Sequence, residues 1–319
     1  MGNSVNVLVT GGAGFIGRWV VKRLLEDGHD VWALDNLSNG RRENLEELAT
    51  HRGFKEFITG DIKDYELLKN LFFNCFDICY HLAASINVQD SIDDPRTTFE
   101  NDVTGTFNIL EQCKKYGTKI VFMSTCMVYD RAFEEAGITE RHPVKPASPY
   151  AGSKIAGENM VLSYWHAYGL PAVVVRPFNT YGPFQKTGGE GGVIAIFIKK
   201  KLAGEELCIY GDGRQTRDFL YVADCADFVT KCGYTDTVNG EIVNAGLGRD
   251  ITINDLALLV AKDQQQIRHM PHIHPQSEIM KLLCNSEKAV RLLGWRPQHS
   301  LEEGIAKTTE WIRMNSSLI

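Results

Sequence analysis

Two residues four positions apart, Tyr150 and Lys154, have side chains that could transfer a proton together. In a helix this spacing places both side chains on one face, one turn apart. A free tyrosine has a pKa of about 10, so its phenol is a poor base at neutral pH unless a cation stabilises the phenolate. The ammonium of Lys154 can supply that charge. The pair therefore predicts a proton-transfer site that acts on a hydroxyl group.

A hydroxyl-bearing segment at residues 124–129 precedes this pair in the chain. It follows an apolar run that we interpret as a buried strand, so Ser124 and Thr125 are expected at one edge of a sheet. A hydroxyl at that edge can bind the substrate oxygen that loses its proton. Cys126 comes next, and a thiol near an ammonium can have a shifted pKa. We expect Cys126 either to transfer protons or simply to fill space beside the substrate.

Three glycines near the N-terminus predict a binding site for a dinucleotide. Gly11, Gly14 and Gly17 lie between a predicted strand and a predicted helix. The first two permit a tight turn and a close approach of the backbone to a pyrophosphate, and Gly17 lets the helix pack against the strand. The helix N-terminus then faces the phosphates with its free N–H groups.

Other residues at strand ends indicate which dinucleotide would bind. Asp35 ends the second predicted strand and can accept hydrogen bonds from ribose hydroxyls. Its carboxylate would repel a 2′-phosphate, so NAD is favoured over NADP. Arg41 and Arg42 follow closely, and their positive charge is the one feature that argues for NADP. Asp61 follows the third strand, where adenine could be contacted. The small residues within 82–84, after the fourth strand, would let a cofactor lie close to the backbone.

Strands and helices alternate regularly in the first half of the chain. Apolar runs predict the strands, and segments with helical periodicity fall between them. This alternation predicts an α/β fold with a Rossmann-type, doubly wound parallel sheet. The predicted strands are residues 5–9, 31–34, 57–59, 78–81, 120–123 and 172–175, and the predicted helices are residues 15–26, 65–72, 96–116, 149–168, 286–293 and 301–314.

The elements become shorter in the second half of the chain. We therefore predict an NAD-binding Rossmann domain at residues 1–177 and a smaller C-terminal α/β domain that binds substrate at residues 178–319. A strand near residues 240–246 is expected to return to the large sheet. A ligand cleft between the two domains follows from this arrangement.

Composition argues against several classes of protein. The formal net charge is −6, whereas a nucleic-acid partner would need a basic surface. No apolar run approaches the roughly 18 residues of a membrane span, and we expect no signal peptide. Eight cysteines form no Cys-x-x-Cys pair, which is typical of reduced thiols in the cytoplasm. His269, His272 and His274 lack the other ligands of a standard site, so no metal is expected.

Taken together, these segments resemble the extended short-chain dehydrogenases that act on nucleotide sugars, the NAD-dependent epimerases and dehydratases. The resemblance implies that Thr125, Tyr150 and Lys154 form a catalytic triad. It also implies a homodimer, formed through the helices at residues 96–116 and 149–168. The matching segments are residues 10–17, 35, 60–61, 81–84, 101–106, 124–129, 150–154, 176–183, 210–218 and 292–297.

The resemblance also assigns ligand contacts. Arg217 would supply local positive charge for the substrate diphosphate, and Glu278 is a candidate to replace an aspartate that the family often has there. Besides the three glycines, the residues expected to contact NAD are Phe15, Ile16, Asp35, Asn36, Ser38, Asp61, Ile62, Leu82, Ala83, Ala84, Asn101, Ser124, Tyr150, Lys154 and Pro177. Those expected to contact a UDP-sugar are Ser85, Thr125, Asn179, Val193, Ile194, Tyr210, Arg217 and Glu278.

One difference from the family reduces the number of reactions that the chain is expected to catalyse. The 4,6-dehydratases of the family carry Asp-Glu directly after the catalytic threonine, as acid and base of the elimination. This chain has Cys126 and Met127 there. Methionine cannot exchange a proton, so ordinary 4,6-dehydration is not expected, and neither is decarboxylation, which keeps the glutamate. The 4-epimerases carry small inert residues at these positions and fit better.

Three functions stay open at this point. The first is a UDP-N-acetylglucosamine 5,6-dehydratase of nucleoside-antibiotic biosynthesis, the subgroup that the whole sequence resembles most. It would oxidise C4, eliminate water across C5 and C6, and reduce C4 again, with Cys126 or a second use of Tyr150 moving the protons of the elimination. The second is a UDP-hexose 4-epimerase with the same triad. The third is a non-catalytic dinucleotide sensor, against which the complete triad argues.

Overall fold

The strands of the protein fall into one large parallel sheet and two small sheets. The structure is a computed structural model that describes residues 4–130, 137–188, 192–271 and 279–315. The strands are β1 (Asn6–Thr10), β2 (Asp30–Asp35), β3 (Phe54–Thr59), β4 (Ile78–His81), β5 (Lys119–Met123), β6 (Ala172–Pro177), β7 (Asn179–Tyr181), β8 (Leu207–Tyr210), β9 (Thr216–Tyr221), β10 (Glu241–Ala245), β11 (Asp250–Thr252), β12 (Ile267–Met270) and β13 (Lys281–Leu282).

Helices connect most of these strands. The α-helices are α1 (Phe15–Glu26), α2 (Tyr65–Leu71), α3 (Val88–Asp93), α4 (Pro95–Phe99), α5 (Gly105–Tyr116), α6 (Pro149–Tyr168), α7 (Val193–Ala203), α8 (Val222–Tyr234), α9 (Ile253–Ala261), α10 (Glu287–Leu293) and α11 (Leu301–Met314). Short 3₁₀ turns lie at Arg42–Leu45, Phe72–Asn74, Cys126–Val128, Asp236–Val238 and Gln264–Gln266. No helix in the described ranges is long and apolar enough to cross a membrane.

The large sheet has the doubly wound topology that the sequence predicts. Its order is β10-β6-β5-β4-β1-β2-β3, and all neighbours are parallel. β1 pairs with β2 on one side and with β4 on the other, so the winding direction reverses there. Such a reversal opens a crevice at the carboxyl ends of the strands, where ligands bind in this class of fold.

Both faces of the large sheet are covered by helices. Val20, Val21 and Leu24 of α1 and Phe228 of α8 pack in the core on one face. On the other face, α2, α5 and α6 contribute to a separate core. Complete burial of one such apolar side chain stabilises the fold by roughly 1.5–3 kcal/mol. The central strands β4, β5 and β6 are buried along their whole length and are mainly apolar, as expected for strands covered on both faces.

The second half of the chain forms a smaller unit and also contributes to the large sheet. β9 pairs with β7, β11 and β13, and β8 pairs with β12. α7, α9 and α11 pack around them in a third core. β10 pairs with β6 at one edge of the large sheet, and α8 covers one face of that sheet. The domain boundary at residue 177 stays a prediction.

One predicted helix differs from the observed structure. The segment 96–116 is not a uniform α-helix, because a π turn at Glu100–Thr104 separates α4 from α5. A π turn inserts an extra residue into the helical repeat, and such turns are frequent at functional sites. Here it turns Asp102 inward, where its carboxylate accepts hydrogen bonds from Ser85 and Ser153.

Candidate active site

The glycine turn after β1 brings three elements into close contact. Gly11 has a φ of +69°, and an added Cβ would lie 2.8 Å from the amide nitrogen of Ala83. A Cβ on Gly17 would overlap the carbonyl oxygen of Gly11, so α1 can begin here only with glycine. Gly14 is the N-cap of α1, and no side chain caps the helix. The N–H groups of the first turn are therefore available to an anionic group such as a pyrophosphate.

The ends of β2 and β3 form one end of the crevice. Asp35 Oδ2 accepts a hydrogen bond from Ala13 N at 3.0 Å, and its Oδ1 accepts one from Leu37 N at 2.8 Å. Burial raises the pKa of this carboxyl group. Asn36 donates to Asp61 Oδ2 at 3.1 Å and so links the two strand ends. These carboxylate and amide groups suit the hydroxyl and amino groups of an adenosine.

The crevice is a cleft of about 300 Å³ that runs from this end to Tyr150. The amide oxygen of Asn101 lies in its wall, buried, with no hydrogen-bond partner among the described residues. An added polar ligand would satisfy this oxygen. The expected cofactor residues in the wall are Gly11, Gly14, Phe15, Ile16, Gly17, Asp35, Asn36, Ser38, Asp61, Ile62, Leu82, Ala83, Ala84, Asn101, Ser124, Tyr150, Lys154 and Pro177.

Helix α6 brings the proton-transfer pair to the other end of the cleft. Ser148 caps the helix by accepting a hydrogen bond from Ala151 N at 3.2 Å, and Pro149 occupies the first helical position. Tyr150 therefore lies in the first turn and Lys154 one turn later, and both are almost completely buried. The Thr125 side chain is near enough to the phenol of Tyr150 to affect its pKa. Thr125, Tyr150 and Lys154 thus lie together in the cleft wall.

Burial shifts the pKa values of this pair in opposite directions. Burial raises the pKa of Tyr150, and the nearby Thr125 side chain opposes this shift. Burial lowers the pKa of Lys154, whereas the charges of Asp102 and Glu158 raise it. Burial disfavours the charged form of each group, so an ionised phenol and an ammonium at this place would stabilise each other.

His81 lies behind the pair and has a packing role. Its ring nitrogens share hydrogen bonds with the hydroxyl groups of Thr10, at 2.7 Å, and Thr106, at 3.0 Å. Burial and the nearby charge of Lys154 lower the pKa of His81 to about 3. The ring is therefore neutral at physiological pH and holds the ends of β1 and β4 together.

Cys126 and Met127 occupy the wall next to Thr125. Cys126 is 3% exposed, and its Sγ lies 3.8 Å from Asn179 Oδ1. Burial raises the pKa of the thiol to about 12, and the charge of Arg217 opposes this shift. Cys126 is therefore a protonated thiol at neutral pH. It can act as a base only after it has first given up its own proton.

The residues expected to bind the sugar nucleotide are only partly brought to the cleft. Asn179 joins Thr125 in its wall, whereas the other described candidates do not line it. Ile194 has no exposed surface, while Tyr210 is 43% exposed. Arg217 Nη1 donates to the carbonyl oxygens of Thr216 and Ile279 at 2.8 and 2.7 Å. The candidates that do not line the cleft lie as follows: Ser85 beside Asp102, Val193 at the start of α7, Ile194 in the third core, Tyr210 at the end of β8 and Arg217 in β9.

Some of the residues singled out earlier lie outside the described residues. These are Glu278, His272 and His274. The remaining histidine, His269, shares a hydrogen bond of 2.9 Å with Asn254 Oδ1. The described part of the chain contains no cluster of three or more side chains suited to a metal ion.

A buried network behind the site was missed from the sequence. Glu158 accepts hydrogen bonds from Ser124 Oγ and from Nε and Nη2 of Arg176. Glu158 and Arg176 are each about 3% exposed, so this is a buried ion pair. It joins α6 to the ends of β5 and β6. Glu158 follows Lys154 by one helical turn, a spacing that could have indicated its place on the same face.

Comparisons with known proteins agree with this geometry. The family model described as GDP-mannose 4,6 dehydratase matches residues 8–308. UDP-glucose 4-epimerase of Mycolicibacterium smegmatis is 38% identical over 98% of this chain and 100% of its own. The structure of Pal from Bacillus thuringiensis is 66% identical, with a TM-score of 0.95, and the match covers 97% of this chain and 99% of Pal.

Another similar structure contains NAD. It is the dTDP-glucose 4,6-dehydratase of Streptomyces venezuelae with NAD bound, 31% identical with a TM-score of 0.91 over 98% of both chains. The chain belongs to the extended short-chain dehydrogenase/reductase family, the NAD-dependent epimerases and dehydratases of nucleotide sugars. It is therefore an NAD-dependent enzyme of nucleotide-sugar chemistry, with the doubly wound fold of that family.

Proposed function

We propose that this family member is a 5,6-dehydratase of UDP-N-acetylglucosamine. The proposal depends on which residues line the cleft beside Thr125. Cys126 and Met127 line it there, in the same cleft as the proton-transfer pair. Neither residue supplies a carboxylate, so the usual 4,6-elimination lacks its acid and base. Oxidation at C4 needs a bound NAD as hydride acceptor and, from this chain, Thr125, Tyr150 and Lys154, which line the same cleft. The whole-sequence resemblance to the 5,6-dehydratases of nucleoside-antibiotic biosynthesis supports the choice of product.

The first step is oxidation of the sugar at C4. Thr125 hydrogen-bonds to the C4 hydroxyl, and ionised Tyr150 accepts its proton while Lys154 stabilises the phenolate. NAD bound against the glycine turn and Asp35 would supply the hydride acceptor for C4 and the hydride donor for its later reduction. The 4-ketone withdraws electrons from the neighbouring C5–H bond and makes that hydrogen acidic.

The elimination then removes one water molecule across C5 and C6. Cys126 donates its thiol proton to the departing C6 oxygen, the C6–O bond breaks, and the thiolate accepts the proton from C5. The C5 electron pair forms the C5–C6 double bond, and Cys126 is again a neutral thiol. Reduction of C4 completes the turnover as Tyr150 returns its proton to the C4 oxygen. Cofactor and protein are regenerated, and the net reaction is loss of water.

Substrate recognition and assembly complete the proposal. Arg217 and Asn179 would bind the diphosphate, with Ser85 near the sugar, and Val193 and Tyr210 near the uracil once substrate is bound. We further propose a cytoplasmic homodimer through the helices at residues 96–116 and 149–168. Phe99 and Phe107, which are 57% and 45% exposed, support this interface.

The proposal also includes the division of the chain at residue 177 into an NAD-binding and a substrate-binding domain. It further includes a role of the enzyme in nucleoside-antibiotic biosynthesis.

Incubation with UDP-N-acetylglucosamine tests the proposal. We expect a product lighter by one water molecule, with alkene signals in its proton NMR spectrum and no net consumption of NAD. Tyr150→Phe is the matched control and should form no product. An enzyme active on this substrate that yields no alkene would refute the 5,6-dehydratase.

A UDP-hexose 4-epimerase is the second candidate. It is favoured by the inert Met127 beside the site and by the 38% identity to a UDP-glucose 4-epimerase. The sugar ring would turn over after oxidation and be reduced from its other face. Its product has the mass of the substrate, so the same mass spectrum separates the two reactions. A non-catalytic dinucleotide sensor predicts no turnover at all, and equal behaviour of the parent and Tyr150→Phe.

A further inference from the structure

A buried carboxylate that the mechanism above does not use lies beside the proton-transfer pair. Asp102, in the π turn between α4 and α5, is 3% exposed. Its Oδ1 accepts a hydrogen bond from Ser85 N at 2.6 Å, and its Oδ2 accepts one from Ser153 Oγ at 2.7 Å. Ser153 lies between Tyr150 and Lys154 on α6. Asp102 therefore connects the π turn to the catalytic turn of α6.

The charge of Asp102 acts on both members of the pair. It raises the pKa of Lys154, because a negative charge stabilises the ammonium. It also raises the pKa of Tyr150, because it opposes a second negative charge. Asp102 forms no ion pair of its own in the described ranges, so Lys154 is the cation on which its charge acts. Burial raises the pKa of Asp102 itself, and the charge of Lys154 lowers it again.

Other titratable groups face the same pair from the neighbouring elements. Glu158, one turn further along α6, also raises the pKa of Lys154. Cys126, after β5, is a neutral thiol at physiological pH, because burial raises its pKa to about 12. His81, at the end of β4, is neutral because its pKa is about 3. Glu158 already forms an ion pair with Arg176. Asp102 is therefore the carboxylate near the pair whose charge is balanced by Lys154.

We propose that Asp102 is a positioning residue for proton transfer: its fixed negative charge keeps Lys154 an ammonium, and its bond to Ser153 orients the first turn of α6. The inference rests on the proposed oxidation at C4, in which Tyr150 is the base and Lys154 its cation. Asp102 makes the phenolate a stronger base once it forms, and it moves formation of the phenolate to higher pH.

Asp102→Asn tests the inference because it removes the charge and keeps the shape. The amide can still accept from Ser85 N, and the Ser153 hydroxyl can turn to accept from its NH₂ group. Loss of one buried charge lowers the pKa of both Tyr150 and Lys154. Both limbs of the pH profile for substrate oxidation should move to lower pH, by roughly half to one unit. Asp102→Ser removes the same charge with a smaller side chain and must give the same shift.

Two controls separate charge from structure. Glu100→Gln makes the same charge change in the same π turn, at an exposed side chain that lies 4.0 Å from Arg96, and should leave the profile unmoved. Ser153→Ala removes the hydrogen bond and keeps the charge of Asp102. It should slow turnover without moving either limb.

A second readout needs neither substrate nor cofactor. Tyrosine ionisation in the cofactor-free protein is followed by ultraviolet absorbance, and the curve of Tyr150→Phe is subtracted to isolate Tyr150. The Tyr150 midpoint should fall in Asp102→Asn and stay in place in Glu100→Gln. An unmoved midpoint in Asp102→Asn overturns the inference, even if turnover is lost. A fall in the midpoint with no oxidation of UDP-sugars by the parent refutes the proposed function and leaves the charge relationship standing.

Discussion

The Nζ atom of Lys154 donates a hydrogen bond to the main-chain oxygen of Met123, 3.0 Å away at the end of β5. The next residues of the chain are Ser124 and Thr125, so one contact fixes the ammonium to the segment that carries the substrate-binding hydroxyl. The aromatic ring of Phe122 lies 5.3 Å from the same nitrogen. Helix α6 and the end of strand β5 are therefore directly connected at the proton-transfer groups.

Loss of the ammonium should slow oxidation of the substrate. In Lys154→Met the side chain keeps its length and loses its charge, so the phenolate of Tyr150 loses its stabilising cation. We expect the rate of bound NADH formation to fall about 100-fold or more in a rapid-mixing absorbance experiment. The acid limb of the rate profile should move to higher pH. Lys69→Met, at an exposed lysine, is the control. An unchanged rate in Lys154→Met would exclude the proton-transfer role.

The ion pair between Glu158 and Arg176 should be important for stability as well as for activity. Glu158→Gln leaves the Arg176 guanidinium buried without its counter-charge and loosens the end of β5 through Ser124. We expect the free energy of unfolding, from urea titration, to fall by about 3 kcal/mol or more. Glu66→Gln breaks the exposed pair with Lys69, 3.1 Å apart, and should change it little. Equal effects of the two substitutions would contradict the structural role of Glu158.

The cofactor half of the site could be predicted from the sequence because its determinants are local. The glycine turn and Asp35 depend on one strand, one turn and one helix, and the pattern of apolar residues shows where these lie. Tyr150 and Lys154 are likewise fixed by a single helical turn. Local chemistry at these positions admits few side chains, so residue type and spacing carry the information.

The rest of the site depends on contacts between distant segments. Asp102 faces Ser153 only because a π turn interrupts the helix, and no periodicity in the sequence predicts that interruption. The partner of Glu158 is Arg176, on a different strand. The substrate half was the least predictable from local patterns. Ile194, for example, was expected beside the uracil and is buried in the core of the second half.

The neutral His81 should make stability depend on pH. Its pKa in the folded protein is about 3, against 6.5 for the unfolded chain, so between these values the unfolded state binds more protons. Stability is therefore lost as the pH falls from 6.5 towards 3. In His81→Gln, an amide that can still bond to Thr10 or Thr106, the free energy of unfolding should depend less on pH in this window. His269→Gln, at an exposed histidine, should keep the parent's slope. The same slope in all three proteins would show that His81 is not responsible.

The thiol of Cys126 separates oxidation from elimination. Because its pKa is about 12, it is protonated when the 4-ketone forms and can donate to the departing C6 oxygen before it accepts the C5 proton. Cys126→Ala should therefore form bound NADH at nearly the parent rate in a single turnover and release alkene at least tenfold more slowly, by mass spectrometry. Cys225→Ala, at another buried thiol outside the cleft, controls for cavity effects on stability. If Cys126→Ala releases alkene at the parent rate, Tyr150 must carry both protons of the elimination: its phenol, protonated in the oxidation step, would donate to the C6 oxygen and then accept from C5.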